Sequence, residues 1–159
     1  MKTTLPKNLP SVVIVTGTPG TGKTVLARKI SKKCGHIYID VNEVVKQYKL
    51  SEGYDKKRDT KIVDEAKLSK VLERIIKETK KKKEKIIIDS HMSHCVDPKL
   101  VGLCIVTKCD LKKLEKRLKK KGYSKAKINE NMECEIMDIC YNEAKEKGHK
   151  IKIIDTFKD

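Results

Sequence analysis

The sequence predicts an α/β fold in which a parallel five-stranded sheet is covered by helices on both faces. Five short apolar segments favour strands, at residues 12–15, 37–39, 86–88, 103–106 and 151–154. These segments are continuously apolar instead of alternating with polar residues, which is typical of parallel strands buried on both sides. Segments with helical periodicity separate most of the strands, as a sheet of this kind requires.

Four segments between the strands favour helices. Residues 25–33 are helix-forming, and residues 64–82 place apolar side chains from Leu68 to Ile76 on one face. The lysines at 80–83 suit the end of that helix, where cations interact favourably with the helix dipole. Asp110 is a suitable N-cap for a third helix. A fourth is predicted from about residue 128 to residue 147, and Gly148 ends it.

Length and charge indicate one intracellular domain. The 159 residues are sufficient for a single core, and no linker or repeat divides them, so residues 1–159 are expected to form one domain. Charged residues make up 38% of the chain, and the net charge is +16, which favours polyanionic partners such as nucleotides, RNA or ribonucleoprotein. Ten basic residues lie between Lys108 and Lys127; either a solvated helix face or a functional surface accounts for them.

Several classes of protein are disfavoured. Aromatic residues make up only 4% of the chain, so stacking platforms for single-stranded RNA are not evident, although direct RNA contact stays open. The six cysteines form no C-x-x-C pair and are expected to be free thiols in a reducing interior. No apolar run is long enough for a signal peptide or a membrane span. We therefore expect a soluble cytoplasmic protein, or a nuclear one in a eukaryote, with no membrane partner.

Residues 17–24 read GTPGTGKT and match the phosphate-binding pattern G-x-x-x-x-G-K-[ST]. Gly17, Gly20 and Gly22 allow the backbone N–H groups to approach a polyphosphate closely, at the start of a helix whose dipole favours an anion. Lys23 would contact the outer phosphates, and Thr24 would offer its hydroxyl to Mg²⁺. The motif predicts a P-loop NTPase three-layer sandwich that binds a nucleoside triphosphate with Mg²⁺.

Asp89 and His91 follow the predicted strand at 86–88. An acid that closes an apolar strand is the Walker B arrangement, which places a carboxylate on Mg²⁺ or on its bound water. His91 lies two residues further, on the same side of an extended chain, where it would orient water or phosphate. A structural role for His91 remains the alternative.

The basic segment near residue 120 resembles a small lid, with a helix, a glycine break at Gly122 and a second helix. Such a lid closes over polyphosphate and excludes water. Arg117 and Lys121 would stabilise charge on the transferred group. The polar residues 55–60 are expected to form a loop over the same site. Residues 107–110 read TKCD and resemble a guanine-recognition signature, but residues 89–92 lack the glycine of a GTPase switch, and a helix cap explains Asp110 better.

With these motifs the chain resembles the adenylate kinase isoenzyme 6 family, the small nuclear and archaeal adenylate kinases that also act in ribosome assembly. The resemblance covers nearly the whole chain. It is carried by GTPGTGKT at 17–24, YIDVNEVV at 38–45, EGYDKKRDTKIVDE at 52–65, IIIDSH at 86–91 and KRLKKKGYSKAKINENMECEI at 116–136. The resemblance implies a nucleoside monophosphate kinase fold with a short NMP-binding insertion at about 40–63 and a lid at about 120–130.

The resemblance also implies roles for individual residues. The ATP phosphates would be bound by Gly20, Gly22, Lys23, Thr24 and Val25, and Asp89 and His91 would form the Walker B pair. Lys121 would lie beside the adenine nucleotide, at a position where relatives often carry arginine; lysine keeps the charge but loses the planar fork. Lys46 would be the basic residue on the first helix of the NMP-binding insertion.

The function implied by the resemblance is a broad-specificity nucleoside monophosphate kinase that converts ATP and AMP to two ADP, with Mg²⁺ and with ATPase activity. A small-subunit ribosomal protein and the pre-ribosome would be partners during small-subunit maturation. The alternative is a ribosome-assembly ATPase that its partner stimulates and for which AMP phosphorylation is incidental. A third reading, a kinase of another small hydroxyl-bearing substrate, depends on analogy of fold alone.

Overall fold

A computed structural model describes residue 5 and residues 7–156, and it contains one parallel sheet of five strands. The strands of this sheet are β1 (Val12–Thr16), β2 (His36–Asp40), β5 (Lys85–Asp89), β6 (Leu103–Lys108) and β7 (Ile151–Asp155). Their order is β2-β5-β1-β6-β7 and all pairs are parallel. All five predicted strands are confirmed, and each is one or two residues longer than its apolar run.

Helices cover both faces of the sheet. The helices are α1 (Lys23–Cys34), α2 (Val41–Gln47), α3 (Glu65–Lys81), α4 (Leu111–Lys120), α5 (Lys125–Ile136) and α6 (Ile139–Lys147). One side of the central strands packs on α1 through Leu26, Ala27 and Ile30. The other side packs on α2, α3 and α6, and Ile14 lies fully buried there. The predicted three-layer α/β architecture is therefore confirmed.

Caps and breaks position the helices that matter for the site. The Asp64 side chain accepts hydrogen bonds from the backbone N–H groups that begin α3, and Asp110 does the same for α4. Gly122, at φ 77°, separates α4 from α5, and the Ser124 hydroxyl caps α5. A small apolar cluster that includes Leu114 and Leu118 joins the two helices beneath the basic segment.

The single helix predicted from 128 to 147 is wrong, because two helices occupy that segment. Asp138 separates α5 from α6 with a left-handed backbone at φ 51° and ψ 43°. A non-glycine residue pays about 1–2 kcal/mol for this conformation. Lys108 compensates, since its ammonium binds both the Asp138 carboxylate and the Glu135 backbone carbonyl. The helical periodicity of the sequence cannot reveal this contact from β6.

The expected loop at residues 55–60 is the tip of a β-hairpin that the sequence did not predict. The hairpin consists of β3 (Ser51–Asp55) and β4 (Thr60–Val63), which pair antiparallel. Both strands are largely exposed and polar, so they lack the apolar signal of the main sheet. Among the described residues, none of the helices combines the length and apolarity needed to cross a bilayer.

Candidate active site

The loop between β1 and α1 is shaped by its glycines and by contacts from β6. A Cβ atom on Gly17 would lie 2.2 Å from the Thr107 hydroxyl oxygen, so only glycine fits there. The Thr21 hydroxyl lies 2.7 Å from the same Thr107 oxygen and donates to the Thr18 carbonyl at 2.6 Å. Gly22, at φ 88°, immediately precedes α1 as its N-cap. The loop is therefore tied to β6 from beneath, and its backbone curves around the start of α1.

Lys23 begins α1 and bends back over this loop. Its Nζ donates to the Thr18 carbonyl at 3.1 Å. Desolvation lowers the pKa of the Lys23 ammonium to about 8, although the nearby Cys140 thiol and Asp89 carboxylate oppose the shift. A positive charge held where protein replaces water favours an anionic ligand.

Asp89 receives two hydroxyl donors at the carboxyl end of β5. The Thr24 hydroxyl and the Tyr38 hydroxyl each donate to Asp89 Oδ2 at 2.7 Å. Asp89 itself is buried, and burial together with the hydrogen bond to Asp89 raises the pKa of Tyr38. A carboxylate and a hydroxyl in direct contact are the oxygen donors that hard divalent cations prefer, so this pair fits Mg²⁺.

Tyr38 is a site residue that the sequence reasoning did not single out. It lies on β2 next to β5, and its ring contacts the guanidinium carbon of Arg28 at 4.6 Å from the centroid. Its hydroxyl reaches Asp89 from the neighbouring strand. Neither strand's sequence indicates that β2 lies beside β5. The contact between Tyr38 and Asp89 could therefore not be predicted from the sequence.

His91 lines the cleft, but the extended chain expected after β5 is wrong. Residues 90–92 form a turn in which the Ser93 N–H bonds to the Ser90 carbonyl at 3.2 Å. The pKa of His91 is lowered by desolvation and by the positive charges of Lys23 and Lys127. The ring also keeps contact with solvent, which weakens the desolvation, but the two ammonium groups act in the same direction. The neutral imidazole is therefore favoured near pH 7.

His94 anchors this turn from beneath. Its Nδ1 lies 2.8 Å from the Thr16 hydroxyl, and its Nε2 lies 2.8 Å from the Glu143 carboxylate of α6. The Thr16 hydroxyl also donates to the His91 carbonyl at 3.2 Å. His94 is buried and therefore serves to connect α6, the end of β1 and the His91 turn.

Arg117 and Lys121 lie on the side of the cleft formed by α4. Arg117 Nη1 donates to the Gly20 carbonyl at 3.2 Å and lies 3.4 Å from Cys109 Sγ. Lys121 follows the last residue of α4, is exposed, and has its Nζ 5.9 Å from the Tyr123 ring centroid. The predicted lid is thus connected to the glycine loop through Arg117.

The hairpin and α5 contact each other beside the cleft. Lys127 Nζ donates to the Asp59 carbonyl at 2.7 Å, and Arg58 Nε lies 3.2 Å from Glu130 Oε1. Arg58 and Lys127 were not predicted as site residues, because their importance depends on a hairpin without an apolar pattern. Lys46 is exposed on α2, the first helix after residue 40, and it is not among the residues that line the cavity.

These elements surround one cavity of about 1570 Å³. Nine of the predicted site residues line it: Gly20, Gly22, Lys23, Thr24, Val25, Asp89, His91, Arg117 and Lys121. Gly17 does not line this cavity, because it faces Thr107 at the base of the loop. The structure thus brings the loop, the end of β5, α4 and α5 around a common space.

Glu135 is a buried acid within the segment 116–136, and no role was predicted for it from the sequence. Its Oε1 accepts from the Thr18 hydroxyl at 3.1 Å and lies 3.0 Å from Lys108 Nζ. Its Oε2 accepts from the Cys109 N–H at 2.9 Å. Every contact made by this carboxylate holds the glycine loop, the end of β6 and α5 together.

The residues that resemble a guanine-recognition signature have structural partners. Thr107 supports the glycine loop, Lys108 binds the α5–α6 junction, and Asp110 caps α4. The interpretation of Asp110 as a cap is confirmed, and the GTPase alternative gains no support from these contacts.

Comparison with known proteins identifies the family. A family model described as an AAA domain matches residues 13–138. An adenylate kinase isoenzyme 6 homolog from Schizosaccharomyces pombe is 41% identical, over 88% of this chain and 77% of the relative. A Caenorhabditis elegans homolog of the same name is 34% identical, over 84% of this chain and 72% of the relative.

Solved structures with much lower identity share the fold. A deoxyadenosine kinase from M. mycoides is 16% identical with a TM-score of 0.52, over 91% of both chains. A shikimate kinase from Bacteroides thetaiotaomicron is 16% identical with a TM-score of 0.53, over 91% of this chain and 85% of the other. The fold is that of P-loop kinases, and the identity to named relatives over most of both sequences shows that the chain belongs to the adenylate kinase isoenzyme 6 family.

Proposed function

We propose that the protein is a broad-specificity nucleoside monophosphate kinase that transfers the γ-phosphoryl group of ATP to AMP. The observation that carries this proposal is a cavity lined both by the phosphate-binding loop and by a second group of cations, Arg58 of the hairpin and Lys127 of α5. Its volume of about 1570 Å³ exceeds the roughly 300–1,000 Å³ of a site for one small ligand. A cavity of this volume has room for two nucleotides.

The glycine loop is assigned to ATP. Gly20, Gly22 and Val25 would present backbone N–H groups to the phosphates, and Lys23 would neutralise the β- and γ-phosphate oxygens. Thr24 and Asp89 would hold Mg²⁺, which supplies charge neutralisation to the phosphates when bound. Because phosphoryl transfer requires little covalent work from a protein, these residues would act by position and charge.

The two flanking segments are assigned to the remaining roles. Residues 120–130 would form the lid, with Lys121 beside the ATP phosphates and Arg117 stabilising charge on the transferred group. Residues 40–63 would form the NMP-binding insertion, whose hairpin presents Arg58 to the cavity. The rest of residues 1–159 would form the core of one kinase domain.

His91 supports a second candidate function, ATP hydrolysis coupled to small-subunit assembly. A neutral imidazole in the cleft is able to accept a hydrogen bond from water and to orient it. The net charge of +16 suits a polyanionic partner such as the pre-ribosome, with direct contact to its RNA, and a small-subunit ribosomal protein would be the partner within it. In this alternative the partner stimulates ATPase activity and AMP phosphorylation is incidental. A cytoplasmic location, or a nuclear one in a eukaryote, belongs to the same proposal.

One assay separates the two functions. Purified protein is given ATP and Mg²⁺, with and without AMP, and ADP formation is followed. The kinase proposal expects AMP to increase ADP production several-fold. If AMP leaves ADP production unchanged while a small-subunit ribosomal protein raises it, the assembly ATPase replaces the kinase as the main activity.

The His91→Ala variant tests the role of the imidazole. It is expected to reduce ATP hydrolysis without AMP more strongly than AMP phosphorylation, because only hydrolysis requires an oriented water. Equal losses in the two reactions contradict that role.

A further inference from the structure

Asn131 is a buried polar residue of α5 with an incomplete set of hydrogen bonds. Its side chain is only 8% exposed and lines the cavity. Its amide nitrogen has no hydrogen-bond partner in the part of the chain that the structure describes. An unpaired buried donor destabilises the folded state, so a side chain of this kind needs an explanation.

The position of Asn131 is fixed relative to the phosphate-binding loop. Asn131 lies one helical turn before Glu135, on the same face of α5. Glu135 is bound to Thr18 in the loop and to the backbone of Cys109. The Asn131 amide is therefore held by a rigid helix rather than by a mobile loop.

The surroundings of Asn131 favour an anionic ligand. Lys127 lies one turn earlier on α5, and its charge acts on His91 at the end of β5. Arg58 and Thr60 of the hairpin line the same cavity. Two carboxylates of α5 lie near Asn131 in the helix, and both already pair with a cation: Glu130 with Arg58 and Glu135 with Lys108. The attraction of these cations for a phosphate has little directional preference. A neutral N–H donor beside them would fix the orientation of the phosphate through a hydrogen bond.

We propose that Asn131 is a substrate-binding residue whose side-chain amide donates a hydrogen bond to a phosphate oxygen of the acceptor nucleotide. This inference rests on the proposed kinase function and extends it by naming the residue that positions the acceptor. Rotation of the amide about its terminal bond exchanges oxygen and nitrogen and turns the N–H group toward the cavity. The free protein keeps an unpaired polar group, and the acceptor phosphate supplies its partner.

The main test compares Asn131→Asp with Asn129→Asp. Asn129 lies on the exposed side of the same helix, so the control adds the same charge at nearly the same place. Affinity for AMP is measured by calorimetry, and KM values for AMP and ATP are measured in the coupled assay. A hydrogen bond to a charged group is stronger than one between neutral groups, so Asn131→Asp should weaken AMP binding at least tenfold. We expect ATP KM to change less than twofold, and Asn129→Asp to resemble the wild type.

A second variant separates binding from a purely structural role. Asn131→Leu removes the unpaired amide while nearly keeping its volume, so the free protein should melt at the same temperature or higher. AMP affinity should fall as in Asn131→Asp. A lower Tm with unchanged AMP affinity would overturn the inference, and so would an AMP affinity within twofold of wild type in both variants.

Failure of the kinase function is distinguishable from failure of this inference. If the wild type binds AMP without phosphorylating it, the proposed function fails, and the calorimetric comparison still decides the role of Asn131. If the wild type does not bind AMP at all, both are overturned. If AMP is phosphorylated and both variants match the wild type, only the inference about Asn131 is wrong.

Discussion

Glu135 of α5 accepts a hydrogen bond from the Thr18 hydroxyl of the glycine loop at 3.1 Å, although 117 residues separate them in the chain. Both side chains are buried. The same carboxylate pairs with Lys108. Burial lowers the pKa of Lys108, but its hydrogen bonds to Asp138 and Glu135 raise that pKa by more, so the pKa lies above its usual value. The phosphate-binding loop is thus fixed by α5, the helix that begins within the proposed lid.

Replacement of Glu135 by glutamine should loosen the loop. The change keeps the size of the side chain but leaves Lys108 with a weaker partner and replaces one acceptor oxygen with a donor. We expect nucleotide affinity to fall about tenfold and unfolding free energy to fall by about 1–3 kcal/mol. Fluorescent ADP titration and urea denaturation measure the two quantities. Glu133→Gln, on the exposed side of α5, is the matched control and should change neither.

Lys23→Ala should abolish nucleotide turnover in both proposed functions. Removal of the ammonium eliminates the charge that faces the phosphates, and the loss should be at least about 100-fold in kcat/KM, or 2.7 kcal/mol. Lys32→Ala, on the exposed face of the same helix, controls for the loss of one positive charge. Retained activity in Lys23→Ala would mean that the loop is wrongly assigned.

Lys121→Arg should raise kinase turnover. Arginine presents a planar fork that binds phosphate through two hydrogen bonds, whereas the lysine ammonium acts as a single point charge. We expect an increase of about two- to tenfold in kcat for AMP phosphorylation, corresponding to one added hydrogen bond. Steady-state kinetics at saturating ATP measure it. Equal kcat values for the wild type and Lys121→Arg would show that lysine at this position does not limit turnover.

His149 should make the protein less stable in mild acid. Its Nε2 donates to the His94 carbonyl at 2.9 Å, and desolvation lowers its pKa despite that hydrogen bond. The unfolded chain therefore takes up a proton near pH 6.5 before the folded protein does, and stability falls as pH decreases through that range. The loss is at most about 1.4 kcal/mol per pH unit for one group.

The comparison with His149→Gln isolates this contribution. Unfolding free energies are measured by urea denaturation from pH 8 to pH 5.5 for both proteins. The advantage of the wild type should shrink as the pH falls, because glutamine does not titrate. Parallel curves would show that His149 is not responsible for the acid sensitivity.

The main sheet and the glycine loop were predictable from the sequence because their signals are local. Each strand of the sheet is buried on both faces, so hydrophobicity alone identifies it, and the loop has a fixed spacing of Gly, Lys and Thr. Asp89 was predicted from its combination with that loop, since an acid at the end of an apolar strand is a weak signal alone but a phosphate-binding loop requires such an acid. Its contact with Thr24 at 2.7 Å is the geometry expected of that pair.

The remaining features depend on contacts between distant segments. Tyr38 reaches Asp89 only because β2 lies beside β5, and Glu135 reaches Thr18 only because α5 folds back over the loop. The break at Asp138 is stabilised by Lys108 from β6, which outweighs the helical preference of its neighbours. The hairpin is exposed and therefore carries no apolar alternation. In each case tertiary structure, rather than local preference, determines the result.

The contact between Arg58 and Glu130 determines in part how firmly the hairpin is held against α5. Their side chains are 65% and 41% exposed, and an ion pair in such surroundings is worth about 0–1 kcal/mol. This corresponds to a population ratio of about fivefold at most. The ion pair and the hydrogen bond from Lys127 to the Asp59 carbonyl are both exposed contacts between the hairpin and α5. We therefore expect the hairpin to separate from α5 at small cost, without any disturbance of the sheet beneath it.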